Sequence, residues 1–321
     1  MSQSAAAATL ADDVLDGLTR PFKELPPKHL YDERGSQLFD EICEQPEYYP
    51  TRTERAILRA RSAEIVAATG AGELVELGSG TAAKTRVLLD AMRDAGTLRR
   101  YVAFDVDESV VTPCVEALEL EYPGVEIVGI VGDFESDQDR IPAPHPGVPR
   151  VVAFLGGTIG NFLPGARRAF LRGLGSTLGP DDVLLLGTDL VKDVDTLEAA
   201  YDDAAGVTAE FNRNVLRVLN ARLGADFDPE LFDHVAFFDP HHEWIEMRLR
   251  ARRACSVRVG DLDLDVEFTR GEEIRTEISA KFTRERLAAD LEAAGLELAE
   301  LYTDPAGLFA LSLTRRSRAR D

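Results

Sequence analysis

Cysteine is scarce in this chain: its 321 residues hold 3, Cys43, Cys114 and Cys255, with no Cys-x-x-Cys spacing. So few, odd in number and scattered, they speak against a disulfide framework and a cysteine zinc site, and fit a reducing compartment. Positive charge is also in short supply, 36 Lys and Arg against 57 Asp and Glu, for a net charge of −21. With no cationic excess to release phosphate counterions, RNA and DNA are disfavoured as partners. No stretch of about 18 apolar residues occurs, and the first residues lack a basic segment followed by an apolar run. The reading is therefore a soluble, cytoplasmic protein without a membrane span. No coiled-coil seam is visible, which favours a monomer. The pair His241-His242, flanked by Asp239 and Glu243, is the one metal-like cluster. Adjacent residues on a strand point apart, so no metal is assigned to it.

What is present begins with Glu73-Leu-Val-Glu-Leu-Gly-Ser-Gly-Thr-Ala-Ala-Lys-Thr85. Leu74, Val75 and Leu77 form the short apolar run of a buried parallel strand, and Gly78 and Gly80 give a tight turn that a ligand can approach closely. Ala83 keeps a dinucleotide fingerprint open. Glu76 argues for another ligand: read as a carboxylate facing the turn, it would repel a diphosphate and welcome a cation. Two further strands end in acids, at Asp105 and at Gly132-Asp133-Phe134. Asp105 is placed to hold ribose hydroxyls. Asp133 could meet an adenine amino group, and Phe134 the adenine face. A carboxylate, Gly-x-Gly and a second acid at the end of the next strand resemble the Rossmann-like class of S-adenosylmethionine methyltransferases.

The chain is 45% hydrophobic over a length that suits two domains. Strands over 73–77, 101–105, 125–131, 151–155 and 182–189 alternate with helices over 84–95 and 109–122, which predicts an α/β fold with a parallel sheet. Thr51-x-x-Glu54 reads as a capping box that opens a helix to about residue 68, stopped by Gly70. Tyr48 and Tyr49 stand between prolines, so they cannot share one face of a regular element. After Asp189, stretches at 244–250, 255–259, 262–268 and 274–281 alternate apolar and polar residues, as antiparallel sheet does. The expected layout is an N-terminal helical segment at 1–54 belonging to a substrate domain, a methyltransferase core at 55–190, an inserted α+β substrate-binding domain at 191–281, and a return to the core sheet at 282–321. Residues 1–20 are expected to begin frayed and then form a helix, and Arg315-Arg-Ser-Arg-Ala-Arg320 is read as a solvated basic tail.

With these segments laid out, the sequence resembles the family of histidine N-alpha-methyltransferases of ergothioneine biosynthesis. The likeness covers nearly the whole chain after residue 20. It rests on Leu25-Pro-Pro-Lys with Tyr31-Asp32, Pro46-Glu-Tyr-Tyr-Pro-Thr-Arg-Thr-Glu54, Val75-Glu-Leu-Gly-Ser-Gly-Thr81 and Phe104-Asp-Val-Asp107. Gly132-Asp-Phe-Glu135, Thr158-Ile-Gly-Asn161, the run at 184–193, the run at 200–209 and Phe211-Asn-Arg-Asn-Val-Leu216 continue it. The resemblance implies S-adenosylmethionine as methyl donor, bound through Gly78, Lys84, Asp105, Asp133 and Phe134, with Lys84 on the methionine carboxylate. It implies L-histidine as substrate, its amino and carboxylate groups held by Tyr48, Asn161 and Tyr201. Glu277 and Ser279 then face the imidazole, and Met247 and Tyr31 line the pocket. Two positions depart from the family pattern: Gly157 where Ser is usual and Ala280 where Cys is usual.

Elementary chemistry is compatible with that set. Methyl transfer from a sulfonium is an in-line displacement that calls for positioning, without a covalent nucleophile or metal. Glu277 could accept from an imidazole N–H, and its bland alternative is an exposed place on an alternating strand. The competing functions are methylation of another amino acid or amine, a nicotinamide oxidoreductase built on Gly78-x-Gly80, and a silent binding protein.

Overall fold

The computed structural model describes residues 9–317. The frayed start expected over 1–8 and the tail residues Arg318 and Arg320 lie outside the described residues.

The chain opens with α1 (Leu10–Thr19), whose N-cap Thr9 accepts from the Asp12 amide. A two-residue strand, β1 (Lys23–Glu24), precedes Pro26 and Pro27, and α2 (Glu33–Cys43) follows, capped by Asp32. Next, α3 (Tyr49–Thr69) starts two residues ahead of the expected capping box. Pro50 does not delay it, because a first-turn residue has no helical partner for its nitrogen. Gly70, at φ +60°, ends it.

Alternation then sets in: β2 (Glu73–Leu77), α4 (Arg86–Asp94), β3 (Arg100–Asp105), α5 (Glu108–Glu121), β4 (Glu126–Val131), β5 (Arg150–Phe154), α6 (Pro164–Thr177) and β6 (Val183–Asp189). After these come α7 (Val194–Ala199), α8 (Val207–Leu223), β7 (Phe232–Asp239), β8 (Trp244–Ala251), β9 (Cys255–Val259), β10 (Leu264–Phe268) and β11 (Glu273–Ala280). The chain closes with α9 (Arg284–Ala293), β12 (Leu296–Thr303) and β13 (Phe309–Arg316).

Two compact units result. One holds the chain through Tyr49 together with Lys192–Ala280; the other holds Pro50–Val191 and the chain from Lys281 onward.

The second unit is an α/β fold around a seven-stranded sheet in the order β12-β13-β6-β5-β2-β3-β4. Neighbours from β6 to β4 pair in parallel, and β13 runs antiparallel to both β6 and β12. On one face Leu74, Tyr101, Ala103, Val151 and Leu185 pack with Leu58 and Ile65 of α3, Leu89 of α4 and Leu118 of α5. Strand order reverses between β2 and β5, and a crevice at the carboxyl ends of strands at such a point is where open α/β sheets bind ligands. Gly78 follows β2 directly, and Gly156 lies two residues beyond the end of β5.

The first unit contains a four-stranded sheet in the order β1-β11-β8-β7, with β8 antiparallel to both β7 and β11. β9 and β10 form a separate hairpin. The period-two pattern gave all four stretches the same reading, but the three-residue turn Gly260–Leu262 lets β9 and β10 satisfy each other locally.

Candidate functional site

In the second unit the expected cofactor residues gather at one edge of the sheet. The chain leaves β2 through Gly78 at φ +72° and Gly80 at φ +50°, a backbone that disfavours any side chain. The amides of Gly78 and Ser79 donate to the Phe104 carbonyl at 2.7 and 3.1 Å, and the Gly80 amide donates to Asp105 Oδ2 at 2.8 Å. Asp105 thus fixes the turn while ending β3. Burial raises its pKa, and the amides of Gly80, Asp107 and Val106 act against that shift. A Cβ on Gly78 would stand 3.9 Å from Phe134 Cε1, and one on Gly80 would meet nothing within 4 Å. The turn is therefore bordered by the Phe134 ring and open at Gly80. Phe134 is itself held by Phe154 and Phe170, at centroid distances of 5.2 and 5.9 Å. Asp133 accepts from the Glu135 amide at 2.9 Å. Ser79 Oγ, buried between the two glycines, has no hydrogen-bond partner among the described residues. Open glycines, a carboxylate, an aromatic face and an unsatisfied hydroxyl are what a nucleoside-bearing cofactor would meet.

Glu76 is a correction. Alternation along β2 puts it on the same face as Leu74, beneath the helices, where it is 2% exposed. It accepts from Thr85 Oγ1 and, at 2.6 Å, from the Tyr101 hydroxyl. It ties the floor of the turn to the start of α4 instead of facing the turn. Burial pushes its pKa up to about 7, against the pull of Thr85, Tyr101 and Lys84. A carboxyl whose folded pKa exceeds its unfolded value binds more protons in the native state, so stability falls as pH rises through the window between them. From an ordinary 4.5 to about 7 the effect is on the order of 3 kcal/mol. Glu76→Gln is expected to flatten the fall in melting temperature between those pH values; an unchanged slope would assign that fall to other groups.

Lys84 and Glu54 meet in this unit. Lys84 Nζ lies 2.5 Å from Glu54 Oε2, and the Gly156 amide donates to Glu54 Oε1 at 2.8 Å. Glu54, expected as half of a capping box, therefore carries a tertiary role that its spacing concealed. Asn161 closes the short turn Thr158–Asn161 after β5, and its side chain makes no hydrogen bond among the described residues.

In the first unit the remaining expected residues form one cluster. Tyr48 and Tyr201 are 7% and 8% exposed, with ring centroids 6.3 Å apart. Phe39 links Tyr48 to Tyr31 at 6.0 and 5.6 Å, and Tyr31 packs edge-on against Phe211 at 5.3 Å. The Tyr201 hydroxyl donates to Ser279 Oγ at 2.7 Å. Burial drives the Tyr48 pKa well above the usual range, with Tyr201, Cys43, Tyr31 and Glu277 adding to it. At neutral pH Tyr48 is a phenol that donates. Tyr49, as expected, parts from its neighbour and receives Lys192 Nζ at 2.7 Å.

A bulge accounts for the burial of Glu277. β8 and β11 run in register until Arg275 faces Arg248, after which Thr276 is passed over and Glu277 faces Met247. One extra residue in a strand reverses the faces of everything after it. Glu273 and Arg275 lie on the side of Arg248 and Glu246, where Arg248 pairs with Glu273 at 2.6 Å. Glu277 and Ser279 turn to the other side, with Met247, and are 8% and 5% exposed.

Three residues that sequence reasoning did not single out hold this cluster in place. Thr276 Oγ1 lies 2.5 Å from Asn212 Oδ1, which leaves Asn212 Nδ2 to donate to His234 Nδ1 at 2.8 Å. His234 must then carry its proton on Nε2, which donates to the Tyr201 carbonyl at 2.8 Å. Burial lowers the pKa of His234, so the ring stays neutral. Asn212 belongs to the Phe-Asn-Arg-Asn motif, the one signal that could have pointed to it.

Gly157 adopts φ +74°, and a Cβ there would stand 3.6 Å from Phe309, so glycine removes backbone strain without opening a cavity. Ala280 ends β11 opposite Trp244 and is buried. Nδ1 of His242 lies 2.7 Å from Asp239 Oδ2, and the ring stacks on Trp244. Among the described residues no group of three His, Cys, Asp or Glu could hold a metal ion, and no helix is long and apolar enough to cross a membrane.

Comparison with known proteins gives the chemistry a family. The model of the histidine-specific, SAM-dependent methyltransferases matches residues 10–316. The chain is 57% identical to histidine N-alpha-methyltransferase of Mycolicibacterium smegmatis and 53% identical to that of Mycobacterium tuberculosis, in each case over 98% of both chains. It is 30% identical to ergothioneine biosynthesis protein 1 of Neurospora crassa over 92% of this chain, which spans 34% of that longer protein. On a match of this extent, the chain belongs to the family of S-adenosylmethionine-dependent, histidine-specific methyltransferases.

Proposed function

We propose that this protein transfers methyl groups from S-adenosylmethionine to the alpha-amino nitrogen of L-histidine, three in succession, to give the trimethyl betaine hercynine, the first step of ergothioneine biosynthesis. The observation that carries the reading is the near full-length identity of 57% to an enzyme of that name. The buried cluster of Tyr48, Tyr201, Glu277 and Ser279 in the first unit supports it.

The donor, when bound, supplies an electrophilic methyl group on a sulfonium. Gly78 and Gly80 give its chain a close approach, Asp105 accepts from ribose hydroxyls, and Asp133 and Phe134 take the adenine. Lys84 neutralises the methionine carboxylate. On the acceptor side, Glu277 accepts from an imidazole N–H and Ser279 takes the other ring nitrogen. Tyr48, kept protonated, donates to the substrate carboxylate. Tyr201 and Asn161 complete the set assigned to the amino and carboxylate groups, Asn161 on the family resemblance alone. Tyr31 and Met247 fill the space around the ring. The attacking amine must be neutral; the carboxylate beside it in the free amino acid holds its pKa above the peptide reference near 8, so fewer than about one molecule in ten is neutral at pH 7. Each methylation must be followed by loss of a proton before the next, and the quaternary product has no lone pair left.

In this reading the first unit is the substrate domain, and the enzyme works as a cytoplasmic monomer on the free amino acid. Incubation with S-adenosylmethionine and a panel of amino acids tests it by mass. Gains of one to three methyl groups on histidine alone are expected; transfer to a different amino acid would overturn the roles of Glu277 and Ser279.

A further inference from the structure

We infer that Glu54 is the positioning residue for the cofactor's amino-acid end: it presents Lys84 to the methionine carboxylate and fixes the turn after β5 through the same carboxylate. This rests on the reading of Lys84 given above and adds a residue to it.

The geometry is that of a built seat. The Glu54 side chain is 0% exposed while that of Lys84 is 22% exposed, so the lysine is the member of the pair that a ligand can reach. Glu54 Oε1 and Oε2 lie 2.8 and 3.0 Å from the Gly156 nitrogen, and Oε2 lies 2.5 Å from Lys84 Nζ. A carboxylate buried this completely is tolerated only when donors surround it. Here an ammonium and an amide do so. The fold makes room for it at Gly187, inside β6, where a Cβ would stand 2.2 Å from Glu54 Oε1. A glycine inside a buried strand marks such a close approach. It serves none of the turn geometry that explains Gly78 or Gly156.

The consequence is specific to one part of the ligand. A lysine has a long flexible stem, and ordering it at the moment of binding costs conformational entropy. Anchored from below by Glu54, Lys84 is ordered beforehand. Glu54 itself does not touch the cofactor, so its loss is felt where Lys84 acts, at the carboxylate, and not at the nucleoside.

Two ligands separate these ends: S-adenosylhomocysteine carries the amino-acid group, and methylthioadenosine lacks it. Calorimetry on the full chain is expected to show wild type preferring S-adenosylhomocysteine. Glu54→Gln, which keeps an oxygen for Gly156 but loses the charge for Lys84, is expected to weaken S-adenosylhomocysteine roughly tenfold and leave methylthioadenosine unchanged. In a Lys84→Met background the Glu54→Gln loss should disappear, since one residue acts through the other. Equal weakening of both ligands, or the same loss with and without Lys84, would make Glu54 merely structural and overturn the inference. A wild type that does not distinguish the two ligands would instead overturn the role of Lys84 itself.

Discussion

Replacing Glu277 with alanine is expected to weaken L-histidine binding by roughly a hundredfold while S-adenosylmethionine binding stays unchanged. The size follows from burial. Glu277 is 8% exposed, and in such surroundings an imidazole N–H that loses its acceptor regains little from water. A site built around that bond rejects analogues lacking the group far more strongly than an apolar pocket rejects a missing methylene. Because Thr276 is the extra residue, Glu273 on the same strand faces the other way and pairs with Arg248 and Arg250. Glu273→Ala is therefore the matched control, with histidine affinity retained. Calorimetric titration of both ligands into both variants checks this, and loss of both ligands together in Glu277→Ala would argue for general damage and against a contact with the imidazole.

The second large effect lies at Asp105. Asp105→Ala removes the acceptor for the Gly80 amide, at 2.8 Å, along with the carboxylate assigned to the ribose. S-adenosylmethionine affinity is expected to fall by about a hundredfold, with a lower melting temperature, since a part-buried amide loses its partner. Asp105→Asn separates the two roles. Its amide oxygen can still accept from Gly80, so the melting temperature should recover, while the missing charge leaves the cofactor bound about tenfold more weakly. Wild-type affinity in Asp105→Asn would remove the ribose from the account.

The sequence made the second unit's sheet readable because parallel strands covered on both faces are apolar over most of their length. Leu74, Val75 and Leu77, bounded by glycines, leave little else to conclude. It hid α6, whose stretch begins with Pro164 and contains Gly165, Gly173 and Gly175 and so looks like a loop. β7 escaped because His234 and Asp233 interrupt its alternation and most of its residues are only half-buried. The family resemblance implied Glu277 and Ser279, but nothing local indicated the bulge at Thr276 that turns them inward. A register shift is a property of two strands, and β8 is not adjacent in sequence. Glu54 shows the same limit from the other side. Thr51-x-x-Glu54 satisfies the spacing of a helix cap, and only the fold brings Lys84 and Gly156 to that carboxylate. Glu76 departs from its expected place for a simpler reason: as the penultimate strand residue it shares the face of Leu74 by alternation.

The central claim is that the acceptor is the alpha nitrogen of histidine, and the direct test is the position of the transferred methyl groups. S-adenosylmethionine labelled with carbon-13 in the methyl group, incubated with the protein and L-histidine, yields a product whose NMR spectrum distinguishes the two outcomes. One intense signal from three equivalent methyl groups on a quaternary nitrogen beside the alpha carbon is expected. A single methyl signal on an imidazole nitrogen would contradict the account, because it would require the ring to face the donor and not Glu277 and Ser279.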